Sequence, residues 1–72
     1  MKTIEQVQAE MEFGDVFKLE EFASMVTEGY LIPDDGVGYF HDGEKETNIS
    51  VWNTSLKYKD IKRYPYVCWY NK

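Results

Sequence analysis

Pro33-Asp34-Asp35-Gly36-Val37-Gly38-Tyr39-Phe40-His41 is the stretch where the period of the chain changes. Its first four residues form a turn by mechanism: proline presets φ, the aspartates accept local backbone hydrogen bonds, and glycine closes the bend. Val37 to His41 then reads as a strand of β-branched and aromatic character. On the other side of the turn the spacing is helical. Leu19, Phe22, Ala23, Val26 and Tyr30 fall at i, i+3, i+4, i+7 and i+11, one face of a helix, with Glu20, Glu21 and Glu28 elsewhere on the wheel. Acids in its first turn suit the helix dipole and Gly29 suits a left-handed cap, which predicts a helix over residues 18–28. Helix before the turn and strand after it place the chain in the α+β class.

Towards the N-terminus, Thr3 followed by Gln6 has the form of a capping box, and Ile4, Val7, Gln8 and Met11 recur at helical spacing. A first helix over residues 3–12 follows, broken by Glu12-Phe13-Gly14-Asp15. So short a helix persists only by docking. Towards the C-terminus, Asn48-Ile49-Ser50-Val51-Trp52 reads as a second strand, joined to the first across the charged tip Asp42-Gly43-Glu44-Lys45-Glu46. Alternation sets Ile49 and Val51 on one face and Ser50 and Trp52 on the other, so Trp52 is expected on the side away from the main core. Residues 53–63 read as a loop with a helical turn, anchored by Leu56, Tyr58 and Ile61. Tyr64-Pro65-Tyr66-Val67-Cys68-Trp69-Tyr70 alternates as a third strand despite Pro65 near its start. Val67 and Trp69 share one face, and Tyr66, Cys68 and Tyr70 the other. The expected architecture is a single α+β domain over residues 1–72. Two N-terminal helices pack on one side of a three-stranded antiparallel sheet, with Leu19, Phe22, Val26, Ile49, Val51, Val67 and Trp69 in the core.

A chain of 72 residues holds one core, and a domain this small buries only about 60% of the surface its unfolded chain exposes. Twelve aromatic residues are more than such a core hides. Cys68 is the single cysteine, so no internal disulfide forms and no zinc site is built unaided. That pattern, with no apolar run near the roughly 18 residues of a membrane span, predicts a cytoplasmic protein with no membrane partner. The sequons Asn48-Ile49-Ser50 and Asn53-Thr54-Ser55 then carry no message.

Catalytic patterns are scarce. His41 is the only histidine and Cys68 the only thiol, and nothing in sequence brings them together, so both read as structural. The acids Asp34, Asp35, Asp42, Glu44 and Glu46 lack the ligand spacing of an EF-hand loop and read as a solvated rim. Glu20 and Glu21 are adjacent on a helix, about 100° apart, and cannot share a proton. Gly36 and Gly38 lack the third glycine and following helix of a nucleotide loop, and read as positions of positive φ or close backbone approach. The expectation is a protein that is not an enzyme and takes no metal and no cofactor.

Charge is the stronger signal. Residues 1–47 hold 12 acids against Lys2, Lys18 and Lys45, a balance of −9. Residues 48–72 hold five bases against Asp60, a balance of +4. Such asymmetry bears on steering and partner choice. The acids Glu20, Glu21, Glu28, Asp34, Asp35, Asp42, Glu44 and Glu46, with Tyr39 and Trp52 as ring anchors, form a candidate protein-binding surface. It would occupy a basic groove in place of nucleic-acid phosphate. A competing reading uses Lys57-Tyr58-Lys59 and Lys62-Arg63-Tyr64 with Tyr66, Trp69 and Tyr70, bases interleaved with rings as in single-strand nucleic-acid binders. Net charge −5 argues against it. A homodimer of acidic region against basic region is a third reading.

The segment Gly29-Tyr30-Leu31-Ile32-Pro33-Asp34-Asp35-Gly36-Val37-Gly38-Tyr39 and the ending Val67-Cys68-Trp69-Tyr70-Asn71-Lys72 resemble a pattern of small tailed-phage accessory proteins. There an acidic helix ends in glycine, an Asp-Gly-x-Gly-Tyr segment follows, and the chain stops at Val-x-Trp-Tyr-Asn-Lys. The resemblance implies a bacteriophage protein in the host cytoplasm that acts on a host or defence component, as anti-CRISPR and other anti-defence inhibitors do. It carries over no catalytic residue.

Overall fold

The computed structural model describes residues 1–53 and 58–71. Thr3 caps the first helix, α1 (Ile4–Glu10): its hydroxyl accepts from the Gln6 N–H while the Gln6 side chain accepts from the Thr3 N–H. The predicted capping box is therefore present and satisfies two otherwise orphaned donors. β1 (Asp15–Lys18) runs directly into α2 (Leu19–Thr27). Gly29, at φ +83°, turns the chain out of α2 as its position predicts. A single 3-10 turn, Pro33–Asp35, leads into β2 (Gly36–His41). β3 (Glu46–Ser50), the short helix α3 (Tyr58–Ile61) and β4 (Tyr66–Asn71) follow.

Among the described residues the sheet has four antiparallel strands where three were expected, in the order β1-β4-β2-β3. The extra strand is β1, whose Val16 pairs with Cys68 and Phe17 with Val67. Residues 15–18 show two apolar side chains on opposite faces between polar ends, too short a run to display a period.

β4 lies inside the sheet, and Val67, Cys68 and Trp69 are between 0% and 2% exposed. A strand buried on both faces needs cover on both. α2 supplies it on one side, where Phe22 packs with Phe40, Tyr64, Val67 and Trp69. α1 supplies it on the other, where Val7 packs with Val16 and Cys68. The expectation of both helices on one side is thus corrected: they sandwich the sheet. The seven expected core residues all lie in the α2 layer. Phe22, Val67 and Trp69 are buried, with Leu19, Val26, Ile49 and Val51 packed against them.

Two further boundaries move. β3 starts at Glu46 and ends at Ser50, so Val51 and Trp52 form a turn and the strand alternation no longer applies to Trp52. Trp52 packs into the α2 layer, 6.0 Å from Phe22 and 6.0 Å from Trp69 between ring centroids, and is not the outward anchor its parity suggested. Residues 54–57 and 72, with the expectations placed on Leu56, Lys57 and Lys72, lie outside the described residues, and so does the side chain of Tyr58. Of the two alternatives for Gly38, close approach is the operative one. A Cβ there would stand 2.7 Å from Val51 Cγ2 and 3.3 Å from Trp69 Cε3.

Candidate functional site

The predicted acids separate into three places. Glu20 and Glu21 stand exposed in the first turn of α2. Asp34 and Asp35 precede β2, while Asp42 and Glu44 follow it. Five residue steps of extended chain, about 17 Å, therefore divide these pairs. One continuous acidic face over all eight residues does not form.

The hairpin acids are engaged within the molecule. Asp42 Oδ1 accepts from the N–H groups of Glu44 at 2.8 Å and Lys45 at 2.9 Å, and these two bonds hold its carboxyl below the usual range. Glu44 pairs with the N-terminal amine at 3.1 Å. Glu46 accepts from the Tyr70 hydroxyl. Beside them, Lys2 pairs with Glu10 at 2.9 Å.

Residues 28–35 differ. Glu28, Asp34 and Asp35 are exposed, and among the described residues no ion pair engages them. Between them Tyr30 is 70% exposed and Ile32 45%, while Leu31 anchors the segment in the α2 layer. The backbone is held by bonds from Gly29 N–H to Val26 O, Tyr30 N–H to Met25 O and Asp35 N–H to Ile32 O. Helical spacing set Tyr30 on the core face, but the positive φ of Gly29 ends the helix first and sends Tyr30 outward. The result is an exposed aromatic and an exposed aliphatic side chain in a segment flanked along the chain by three carboxylates without an ion-pair partner among the described residues.

A cleft of about 580 Å³ opens between α1 and the sheet, with His41, Cys68, Glu46, Tyr70 and Phe13 among its walls. His41 and Cys68 share this face because β2 pairs with β4, His41 lying opposite Tyr66 and Cys68 opposite Tyr39. His41 Nδ1 accepts from the Gly43 N–H at 3.0 Å, which places the imidazole proton on Nε2. Burial lowers its pKa, so the ring is neutral at pH 7. Burial first, and then the charge of Glu46, push the Cys68 thiol up to about 12. A protonated thiol beside a neutral imidazole is the reverse of an activated nucleophile.

Tyr39 is half-buried on the same face, its ring 6.3 Å from Tyr70. In the basic C-terminal region Lys59, Lys62 and Arg63 are exposed. Tyr64 and Trp69 are core residues, however, and closed to a stacking base. Among the described residues no group of three His, Cys, Asp or Glu side chains could hold a metal ion, and no helix is long and apolar enough to cross a membrane. No family model, curated protein or solved structure matches the chain.

Proposed function

We propose that this chain is a non-catalytic protein-binding module that docks on a basic protein surface through residues 28–35. The observation that carries the reading is the exposure of Tyr30 and Ile32 in a segment that Glu28, Asp34 and Asp35 flank along the chain, none of the three in an ion pair among the described residues. Aromatic anchors with a charged rim are the usual anatomy of an interface: the ring fills a pocket and supplies affinity, while the rim steers approach and excludes wrong partners. A basic groove that normally holds nucleic-acid phosphate is a fitting target, and occupying it inhibits by exclusion. The resemblance to phage accessory proteins makes a host or defence component the expected class of target.

The test compares variants in capture from a bacterial lysate and then in binding kinetics with the captured protein. Asp34→Lys with Asp35→Lys should slow association strongly, and Tyr30→Ala should speed release by about 30-fold or more, the scale of an aromatic hot spot. Raising salt from 0.1 M to 1 M cuts the Debye length from about 10 Å to about 3 Å and should slow capture more than it speeds release. Lys62→Gln with Arg63→Gln should change little. If that pair is the one that abolishes capture, or nuclease treatment does, the nucleic-acid reading replaces this one.

A further inference from the structure

We propose that the open end of the α1 face is a binding site for an organic cation, an alkylammonium or guanidinium group, held among the rings of Phe13, Tyr70 and Tyr39 beside the Glu46 carboxylate. Strand order builds the site. β4 lies between β1 and β2, and Tyr70 stands on its α1 face. Phe13, just before β1, reaches Tyr70 from one side, with ring centroids 5.3 Å apart and planes inclined at 67°. Tyr39 of β2 reaches it from the other, at 6.3 Å and 65°. Two steep walls thus flank a central ring.

α1 does not roof this end. Its buried Val7 sits over Val16 and Cys68, the helix stops at Glu10, and Phe13 is left 64% exposed. Phe13 nonetheless keeps its ring contact with Tyr70. The next residue, Gly14, has φ +97°, and a Cβ there would stand 2.5 Å from the Trp69 carbonyl oxygen, 3.0 Å from Met11 Cε and 3.2 Å from the Tyr70 ring, so the backbone at this corner lies tight against β4. Met11 packs at the inner side of this corner, and Phe13 closes it on the solvent side.

The electrostatics select the sign of the ligand. Ring faces attract cations. Glu46, held by the Tyr70 hydroxyl, and Glu12 both line the cleft, and among the described residues neither has a cationic partner. Of the bases that line the cleft, the ammonium of Lys2 is engaged by Glu10, which leaves Lys45 outnumbered by Glu12 and Glu46. An anion would meet unpaired carboxylates, and a neutral apolar group would leave them unsatisfied. A cation with a delocalised or alkylated head, weakly hydrated enough to enter a ring-lined corner, fits both features.

The experiment is an aromatic carbon–proton NMR titration of the full chain with choline and with N-acetylargininamide. The controls are their neutral near-isosteres, 3,3-dimethylbutan-1-ol and N-acetylcitrullinamide. Saturable shifts of the Phe13, Tyr39 and Tyr70 rings are expected with the cations, and binding about tenfold weaker or absent with the neutral compounds. Phe13→Leu keeps apolar bulk without a π face and should weaken binding about two- to thirtyfold, with Phe13→Trp restoring it. An alanine-flanked arginine peptide separates the sources of the cation. Tighter saturation by the peptide points to a side chain of a polypeptide, and equal or better binding of choline to a free small cation. Equal affinity for the neutral compounds, shifts that rise linearly throughout, or full affinity in Phe13→Leu would overturn the proposal. No protein partner enters the titration, so its outcome is independent of residues 28–35.

Discussion

His41 ends β2, 3% exposed as a residue, with its Nδ1 committed to the Gly43 N–H. Burial is the main cause of its lowered pKa, reinforced by Lys2. The acids Asp42, Glu46 and Glu10 oppose it without prevailing. Well above pH 6.5 the histidine is neutral in both folded and unfolded chains and adds no pH dependence. As the pH falls below 6.5 the unfolded chain takes up the proton first, so stability declines until the lowered folded value is reached. A proton on Nδ1 also removes the acceptor for Gly43, whose carbonyl receives the Lys2 N–H that holds the start of α1. Urea midpoints should therefore drop between pH 7.5 and pH 5.5, and His41→Asn should flatten that slope whatever its own stability. The same slope in the variant would assign the titration to another group. The sequence marks His41 as a strand-end residue, but not its burial, which depends on the turn of residues 42–45 folding back over it.

At the scale of elements, α1 is a helix of seven residues that exists because Val7 docks on Val16 and Cys68. Its removal should be legible, because the only thiol lies in the α1 layer while both tryptophans lie in the α2 layer. Val7→Asp should undock the helix and raise the rate of Cys68 reaction with a disulfide reagent by about tenfold or more, while the near-ultraviolet signal of Trp52 and Trp69 persists. An unchanged thiol rate would mean that α1 does not shield Cys68. Both α1 and α2 were readable from sequence because their signals are local: the Thr3/Gln6 box for α1, and the stripe from Leu19 to Val26 for α2. β1 was not. Residues 15–18 become a strand only through pairing with residues 66–69, and a window of four residues contains no trace of that. Trp52 failed for a related reason, since the alternation that set its face stops two residues earlier, at Ser50.

For the whole molecule, the acidity of the first 47 residues was legible as composition, but its division was not. The length of β2 separates Asp34 and Asp35 from Asp42 and Glu44, and the latter are taken up in hairpin contacts. The juxtaposition of Phe13, Tyr70 and Tyr39 was equally out of reach, because it follows from strand order alone. That order also governs how the chain reaches its fold. β4 is synthesised after β1 and β2, yet it is the strand that joins them. Until it emerges from the ribosome, β1 has no partner, Phe22 has neither Val67 nor Trp69 to cover, and α1 has no Cys68 beneath it. What precedes it among the described residues is three short helices, the unpaired β1 segment and one hairpin, none stable alone. A fragment of residues 1–63 should accordingly show fast backbone amide exchange throughout, whereas a protected β2–β3 hairpin in that fragment would contradict the scheme. Folding thus waits for β4, is dominated by contacts between distant segments and is slow for a chain of this size.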